Sequence, residues 1–362
     1  MLLKDFIIEL GDRLKVDKLT SEGKNILTRK LNQTYKEVAR ASDWEVLKRT
    51  SELRTVANYT AGTVSITIDS RTVTGSGTTW VSAMQGRYFR PAGSENWYKI
   101  ARFVSTTEIT LVTPIIEATQ SGIAYTIWQK FYYLQSDVRK IISFHTWYAD
   151  GELNDKSNYY LEEMTTNPSS TGRPEVFTPY GVDPYEPSYS TGQVTKTVDS
   201  TVLNGISTLW LDNVTSGDKI EIGDEIYRVE RVESDIRIIM HNAALTTVGT
   251  DSPAAYTITR DNAIGLQLYP APDAVYLFPY SYQKRVYDMV SEDNDSPELP
   301  EDFDLAILDG AEASRMRDLS DVKWLAKMEE YKGRIVDLRR TMATTKPRFK
   351  QMRPKIVSRS SY

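Results

Sequence analysis

The chain has 362 residues, 40% hydrophobic and 26% charged, with no cysteine, two histidines and a formal net charge of −5. Such a length and composition suit a soluble globular chain with two or three cores, and they exclude disulfides, thiol catalysis and any apolar run of membrane-spanning length. The charge is uneven: positions 344–362 hold six basic residues and no acidic one, so the first 343 residues carry −11 and the tail +6.

An acidic body argues against broad nucleic-acid binding by the folded part. A basic tail suits docking onto an acidic surface or a phosphate backbone, with a solvated free end as the alternative.

Met1-Leu-Leu-Lys-Asp-Phe-Ile-Ile-Glu-Leu10 is apolar but broken by Lys4, Asp5 and Glu9, with no small-residue cleavage site after it. It predicts an amphipathic helix rather than a signal peptide. Leu27, Leu31 and Tyr35 fall at helical spacing on a segment starting near Ser21. Ser42 and Glu45 form a capping-box pattern, which predicts a short helix with Trp44 and Leu47 turned inward.

From about 56 to 128 the period changes to two, as in Val64, Ile66 and Ile68 alternating with Ser65 and Thr67. Phe131-Tyr-Tyr-Leu134 predicts a strand, and Ser136-Asp-Val-Arg139 a turn or short helix. Segment 167–190 is rich in Pro, Gly and Tyr and predicts extended, irregular chain. Leu266-Gln-Leu-Tyr-Pro270 and Ala274-Val-Tyr-Leu277 predict a hairpin turned by Pro-Ala-Pro-Asp.

Pro300 marks a helix start, followed by Phe303, Ala306, Ile307, Gly310 and Ala313 at helical spacing. Gly310, Ala311 and Ala313 would let another helix approach closely. A last helix from about Ser320 carries one apolar seam, Trp324, Met328, Tyr331, Ile335, Leu338 and Met342, suited to core or subunit contact. Pro347 ends it.

The strongest signal is an internal repeat at an offset of about 130 residues. Gly62-Thr-Val-Ser-Ile-Thr-Ile-Asp-Ser70 matches Gly192-Gln-Val-Thr-Lys-Thr-Val-Asp-Ser200, and Trp80, Tyr98, Ser105 and Tyr125 match Trp210, Tyr227, Ser234 and Tyr256. A constant offset across so many anchors predicts two copies of one small β domain. The expected fold class is α+β, a discontinuous helical frame with two related inserted β domains. The frame would comprise 1–56, 129–170 and 296–343. The β domains would span 57–128 and 191–290, the second with its hairpin, joined by an extended linker at 171–190, with the basic tail at 344–362.

No catalytic signature stands out, and no cofactor or metal is expected. His145 and His241 lack metal-ligand spacing; His145 reads as a packed histidine and His241 as a surface-loop residue. Gly75-Ser-Gly77-Thr78 lacks the Lys-Ser/Thr of a phosphate loop and reads as a β-turn. Glu292-Asp-Asn-Asp295 lacks the register of a calcium loop and reads as a solvated acidic turn. Trp80 and Trp210 read as domain cores, with sugar or protein contact as the alternative. Tyr180, Tyr185 and Tyr189 in the Pro-rich segment are candidates for intersubunit contact.

Taken in order, several segments resemble head-to-tail adaptor proteins of tailed bacteriophages. They are the N-terminal helices ending in Trp44, Val73-Thr-Gly-Ser-Gly-Thr-Thr-Trp80, Phe131-Tyr-Tyr-Leu134 with Asp137-Val-Arg139-Lys140, Leu268-Tyr-Pro-Ala-Pro-Asp273, and Leu299-Pro-Glu-Asp-Phe303 before two closing helices. The resemblance implies a non-enzymatic structural protein of the virion neck, made in the host bacterial cytoplasm and lying between portal and tail. It implies a homo-oligomeric ring, commonly of twelve copies, around the DNA exit channel. The partners would be the portal protein, a tail or nozzle protein and other copies of the chain, with genomic DNA passing through without sequence-specific binding and no membrane. It makes the tail the portal-docking element through Lys346, Arg348, Lys350, Arg353, Lys355 and Arg359, with Phe349, Ile356 and Tyr362 as anchors. The β domains depart from the smallest, nearly all-helical adaptors. The rival readings are a tail or nozzle component with receptor- or glycan-binding β modules, a tail-associated cell-wall hydrolase, and a DNA-binding protein acting through the tail.

Overall fold

Leu3, Phe6, Ile7 and Leu10 recur at helical spacing and form the buried face of α1, Leu3–Leu14, in a computed structural model that describes residues 1–16, 20–145, 153–155, 171–181, 188–260 and 263–342. In α2, Ser21–Ala41, the N-cap Thr20 accepts a hydrogen bond from the Gly23 amide at 3.2 Å, and Leu27, Leu31 and Tyr35 are buried as their spacing predicts. α3 is Asp304–Asp318 and α4 is Trp324–Met342. These helices share one core with Trp44, Leu47, Val286, Met289, Leu299 and Phe303. Trp44 donates its indole N–H to the Val38 carbonyl at 2.7 Å and meets Phe303 edge-on at 4.9 Å.

The fold is α+β, with nearly all strand pairing antiparallel. Thr63–Ile66, Thr72–Ser76, Glu108–Leu111, Tyr98–Ser105, Tyr88–Pro91 and Tyr125–Trp128 are neighbours in that order, with Gln120–Ile123 added at the Thr63 edge. Gln193–Lys196, Val202–Ile206, Arg237–Met240, Glu225–Ser234, Lys219–Ile222 and Thr257–Thr259 follow the same order in a second sheet. In the first, the Trp80 indole donates to Tyr125 Oη at 2.9 Å; in the second, Trp210 donates to Tyr256 Oη at 3.0 Å. Both tryptophans are fully buried, as their matched positions suggest. Even the uncommon backbone repeats, with Asp69 at φ 60° and Asp199 at φ 61°.

A third β core is distinct from both β units and from the helical core. Lys48–Arg54, Leu277–Lys284 and Val138–Phe144 form one sheet, and Phe131–Tyr133, Gly265–Tyr269, Val176–Tyr180 and Asn154–Asp155 another. Their side chains share a core in which the Phe144 and Tyr280 rings stack at 5.6 Å.

This core corrects three expectations. Within 129–170, assigned to the helical frame, 131–133 is the strand that Phe131-Tyr-Tyr-Leu134 predicts, but 138–144 is a strand that was not expected. The expected hairpin does not exist, because Gly265–Tyr269 pairs with 176–180 and 131–133, whereas Leu277–Lys284 pairs with 48–54 and 138–144. Ser42 caps no helix; it ends α2, and a single 3₁₀ turn, Glu45–Leu47, leads straight into the edge strand Lys48–Arg54.

Candidate interaction surfaces

On the seam of α4, Ile335 is buried and Tyr331, Leu338 and Met342 pack against the helical core, so this half serves contacts within the chain. Trp324 and Met328 are half-buried outside that core. Gly310 of α3 makes the close approach possible, since a Cβ there would collide with Thr34 Cγ2 of α2 and lie 2.9 Å from the Tyr331 ring. The buried carboxylates of α3 are neutralised from both sides. Asp309 pairs with Arg13 at 3.0 Å and with Arg334, and Glu312 pairs with Arg13 and Lys327, each at 3.5 Å.

The second β unit is fastened to the central sheet and the helices by a buried polar cluster. Lys284 Nζ donates to Glu230 at 2.8 Å and to Glu298 at 2.7 Å. His241 Nδ1 lies 3.5 Å from Glu230 and 3.7 Å from Glu298. Hydrogen bonding to His241 is the main reason the Glu230 carboxyl falls to about 2; burial opposes it and Lys284 assists. Burial disfavours the Lys284 charge, but Glu298 and Glu230 hold its pKa above the ordinary lysine value. Nearby, Ser136 Oγ donates to Asp218 at 2.6 Å, while Ser216 Oγ and Tyr282 Oη each donate to Asp137 at 3.1 Å. Burial pushes both Asp218 and Asp137 upward.

Four expectations change here. His241 is not a surface-loop residue but sits mostly buried between two carboxylates, whereas His145 is exposed, with Ser143 as its partner at 2.9 Å. The 292–295 turn is not merely solvated. Asp295 is buried and accepts from Ser291 N at 2.8 Å and Asn242 Nδ2 at 2.7 Å, while Glu292 pairs with Lys24 at 2.8 Å. Tyr189 belongs to the second β unit rather than a linker, since it bridges Ile258 and its hydroxyl accepts from Leu209 N, as Tyr59 bridges Ile127 and accepts from Thr79 N. Tyr180 ends the strand Val176–Tyr180, exposed, with its ring 4.9 Å from Phe131.

The first β unit carries a different feature, an aromatic row in which Trp128 is buried and Tyr88 and Trp97 are half-buried. Arg90 lies over the Trp97 ring at 4.6 Å, Trp97 meets Trp128 at 5.2 Å, and Trp128 meets Tyr88 at 5.9 Å. Lys130 continues the row, 5.8 Å from the Tyr88 ring and 5.4 Å from Phe131.

The two features occupy different positions of one pattern. The amides of Val112 and His241 bond Lys99 O and Arg228 O, and those of Ile100 and Val229 bond Arg87 O and Asp218 O, which fixes the alignment. Asp218, Glu230 and His241 thus stand where the first unit has Arg87, Ala101 and Val112; Tyr88, Trp97 and Trp128 stand where the second has Lys219, Ile226 and Thr259.

Residues 190–348 match the family model described as SU10 adaptor protein. This phage adaptor family agrees with the head-to-tail adaptor resemblance. The adaptor match takes in the second β unit, its fastening cluster, Leu277–Lys284, α3 and α4, and leaves out the first β unit. No curated protein matches the chain. The solved structure titled "Phage phi92 endosialidase" is similar over 62% of this chain, at 10% identity and a TM-score of 0.20; this chain spans only 32% of that one, and the likeness shows nothing about function.

The six seam residues lie inside the adaptor match. Lys346, Arg348, Phe349, Lys350, Arg353, Lys355, Ile356, Arg359, Tyr362 and Tyr185 lie outside the described residues. Among the described residues no group of His, Asp or Glu is placed to hold a metal, and no helix is long and apolar enough to cross a membrane.

Proposed function

We propose that the chain is a head-to-tail adaptor of a tailed phage, a structural part of the virion neck that joins the portal to the tail. Copies of the chain form a ring, of about twelve by the family resemblance, around the DNA exit channel, and the acidic body lets the genome slide past. The adaptor-family match over 190–348 carries this reading. The helices and the third β core are the frame, discontinuous in sequence, and the two β units are related insertions upon it. The basic tail docks to the portal, with charge-assisted contacts offsetting the entropy of ordering it. Its partners are the portal, a tail or nozzle protein and other copies, and it is not an enzyme.

Native mass spectrometry of the full-length chain and of a form truncated after Ala343, each mixed with the portal protein, tests this. A portal-bound ring of fixed copy number that is lost on truncation is the expected result. No association in either form would overturn the portal assignment. The Arg90–Trp97–Trp128–Tyr88–Lys130 row favours a second reading, a tail component whose first β unit meets a receptor. Glycan binding lost in Trp97→Ala would support it.

A further inference from the structure

The last turn of α2, the start of Val138–Phe144 and the end of Leu277–Lys284 frame a partly open pocket of about 280 Å³, lined by Ala39, Arg40, Arg139, Lys284, Arg285 and Val286. Four of its six lining residues are cationic, in a body whose net charge is −11. Cations near a helix C-terminus are ordinary, because they meet the negative end of the helix dipole. That role accounts for Arg339, which donates to the Ala41 carbonyl. It does not account for cationic side chains from three elements converging on one void.

Their other contacts show which of them are already paired. Lys284 is already held by Glu230 and Glu298, so it forms wall rather than ligand. Arg285 donates to the Val138 carbonyl at 3.3 Å. Arg139 donates to the Ser42 carbonyl at 3.5 Å and lies 3.6 Å from Asp43, a carboxylate that Lys140 takes at 2.7 Å. The Arg139 Nε is buried without a hydrogen-bond partner among the described residues. A buried charged donor left unpaired is costly, and guanidinium groups match tetrahedral oxyanions in geometry. The void has room for such an ion and part of its water shell.

We propose that this cavity is a phosphate-binding site, with Arg139 and Arg40 as its ligands and Arg285 as its third cationic wall. The phosphoryl group is either a free ion or a phosphate of the DNA backbone. Burial pushes the Arg139 guanidinium down, Asp43 holds it up and Arg40 pushes it down again, and a bound anion relieves both unfavourable effects.

Thermal unfolding of the full chain in inorganic phosphate, against chloride at equal ionic strength, is the test. A saturable rise in Tm of several degrees with phosphate, absent in Arg139→Gln and in Arg40→Gln and retained in the exposed control Arg54→Gln, is expected. Arg40 is exposed, so its variant keeps the test informative if Arg139→Gln does not fold. No phosphate-specific rise in the natural chain, or an equal rise in Arg40→Gln, overturns the proposal. A short DNA duplex added at low salt then separates the sources. Competition with phosphate at the site identifies backbone phosphate as the ligand, and phosphate binding unaffected by the duplex identifies the free ion.

Discussion

Ile66 and Lys196 occupy the same place in the two β units, yet one is apolar and the other charged, at 1% and 2% exposure. Lys196 Nζ, with three N–H groups, lies within hydrogen-bond reach of four acceptors: Tyr227 Oη at 3.1 Å, Thr246 O at 2.9 Å, Thr246 Oγ1 at 2.8 Å, and Glu225. Burial disfavours the Glu225 charge, but hydrogen bonds from Lys196, Tyr227 and Thr246 hold it below the usual carboxylate range. Removing one partner of a buried pair costs about 3–5 kcal/mol. Glu225 keeps some access to water, so Lys196→Ala should cost the second unit about 2–4 kcal/mol, read from urea midpoints. Lys196→Ile restores the first unit's residue and fills the space, and should cost about half as much or less. Equal costs would show that the lost charge pairing, not the lost volume, sets the cost.

Glu230 makes the fastening of the second unit depend on acid. Its pKa is about 2 in the folded chain against an ordinary 4.5, so its contribution is complete above about pH 4.5 and disappears as pH falls toward 2. A shift of that size would be about 3 kcal/mol at full strength. About a third of the side chain is exposed, and screening reduces this to about 1–2 kcal/mol. Asp137 and Asp218, pushed upward by burial, act in the opposite direction as pH falls. The contribution of Glu230 is therefore the difference between the natural chain and Glu230→Gln, measured as urea midpoints from pH 7 to 2. The gap should be widest near neutrality and close in acid; a gap constant with pH would contradict this account.

Gly310 shows how two opposing magnitudes decide a substitution. Glycine to alanine inside a helix ordinarily gains about 1 kcal/mol. Here the new methyl would run into Thr34 Cγ2, on a β-branched side chain with little rotamer freedom, and into the Tyr331 ring. Overpacking of this kind costs about 1–3 kcal/mol. Gly310→Ala should come out neutral to about 2 kcal/mol destabilising, and Gly310→Val more. A Tm raised by Gly310→Ala would mean that α2 and α4 yield easily.

The repeat, its paired tryptophans, the four long helices and the Gly310 approach were legible because each leaves a local signal: a fixed offset, a 3.6-residue period, a missing side chain. Of the third β core, the strands at 131–133 and 265–269 left a local signal, but their pairing and the edge strand at 48–54 left none. Lys48-Arg-Thr-Ser-Glu-Leu-Arg54 lacks apolar alternation because only Leu53 along it is buried, and its partner strand lies more than 220 residues on. Tyr-Pro-Ala-Pro-Asp has turn chemistry, but turn chemistry does not choose pairing partners. His241 looked like a loop residue because its carboxylates come from positions 230 and 298. The signal that would have found the fastening cluster and the aromatic row is divergence between the copies, where Ala101 and Val112 face Glu230 and His241, and Ile226 and Thr259 face Trp97 and Trp128.

Gly217 joins that divergence to a test of how the second unit is held. Its φ is 84°, and a Cβ there would lie 2.5 Å from the Ser136 carbonyl carbon and 2.7 Å from Asp137 Cα, both in the central β core. Backbone cannot swing aside as a side chain does, so Gly217→Ala must push the second unit off the residues that pair Ser216 with Asp137 and Ser136 with Asp218. Its counterpart Gly86 has a φ of 80°, so Gly86→Ala carries the same left-handed strain of about 1–2 kcal/mol. The excess cost of Gly217→Ala over Gly86→Ala isolates the contact with the central sheet and should be about 2 kcal/mol or more. Hydrogen exchange locates it: amides of Val138–Phe144 should lose protection in Gly217→Ala and keep it in Gly86→Ala. Equal costs and unchanged exchange in that strand would show that the second unit is held by the Lys284–Glu230–Glu298 cluster without this close backbone approach.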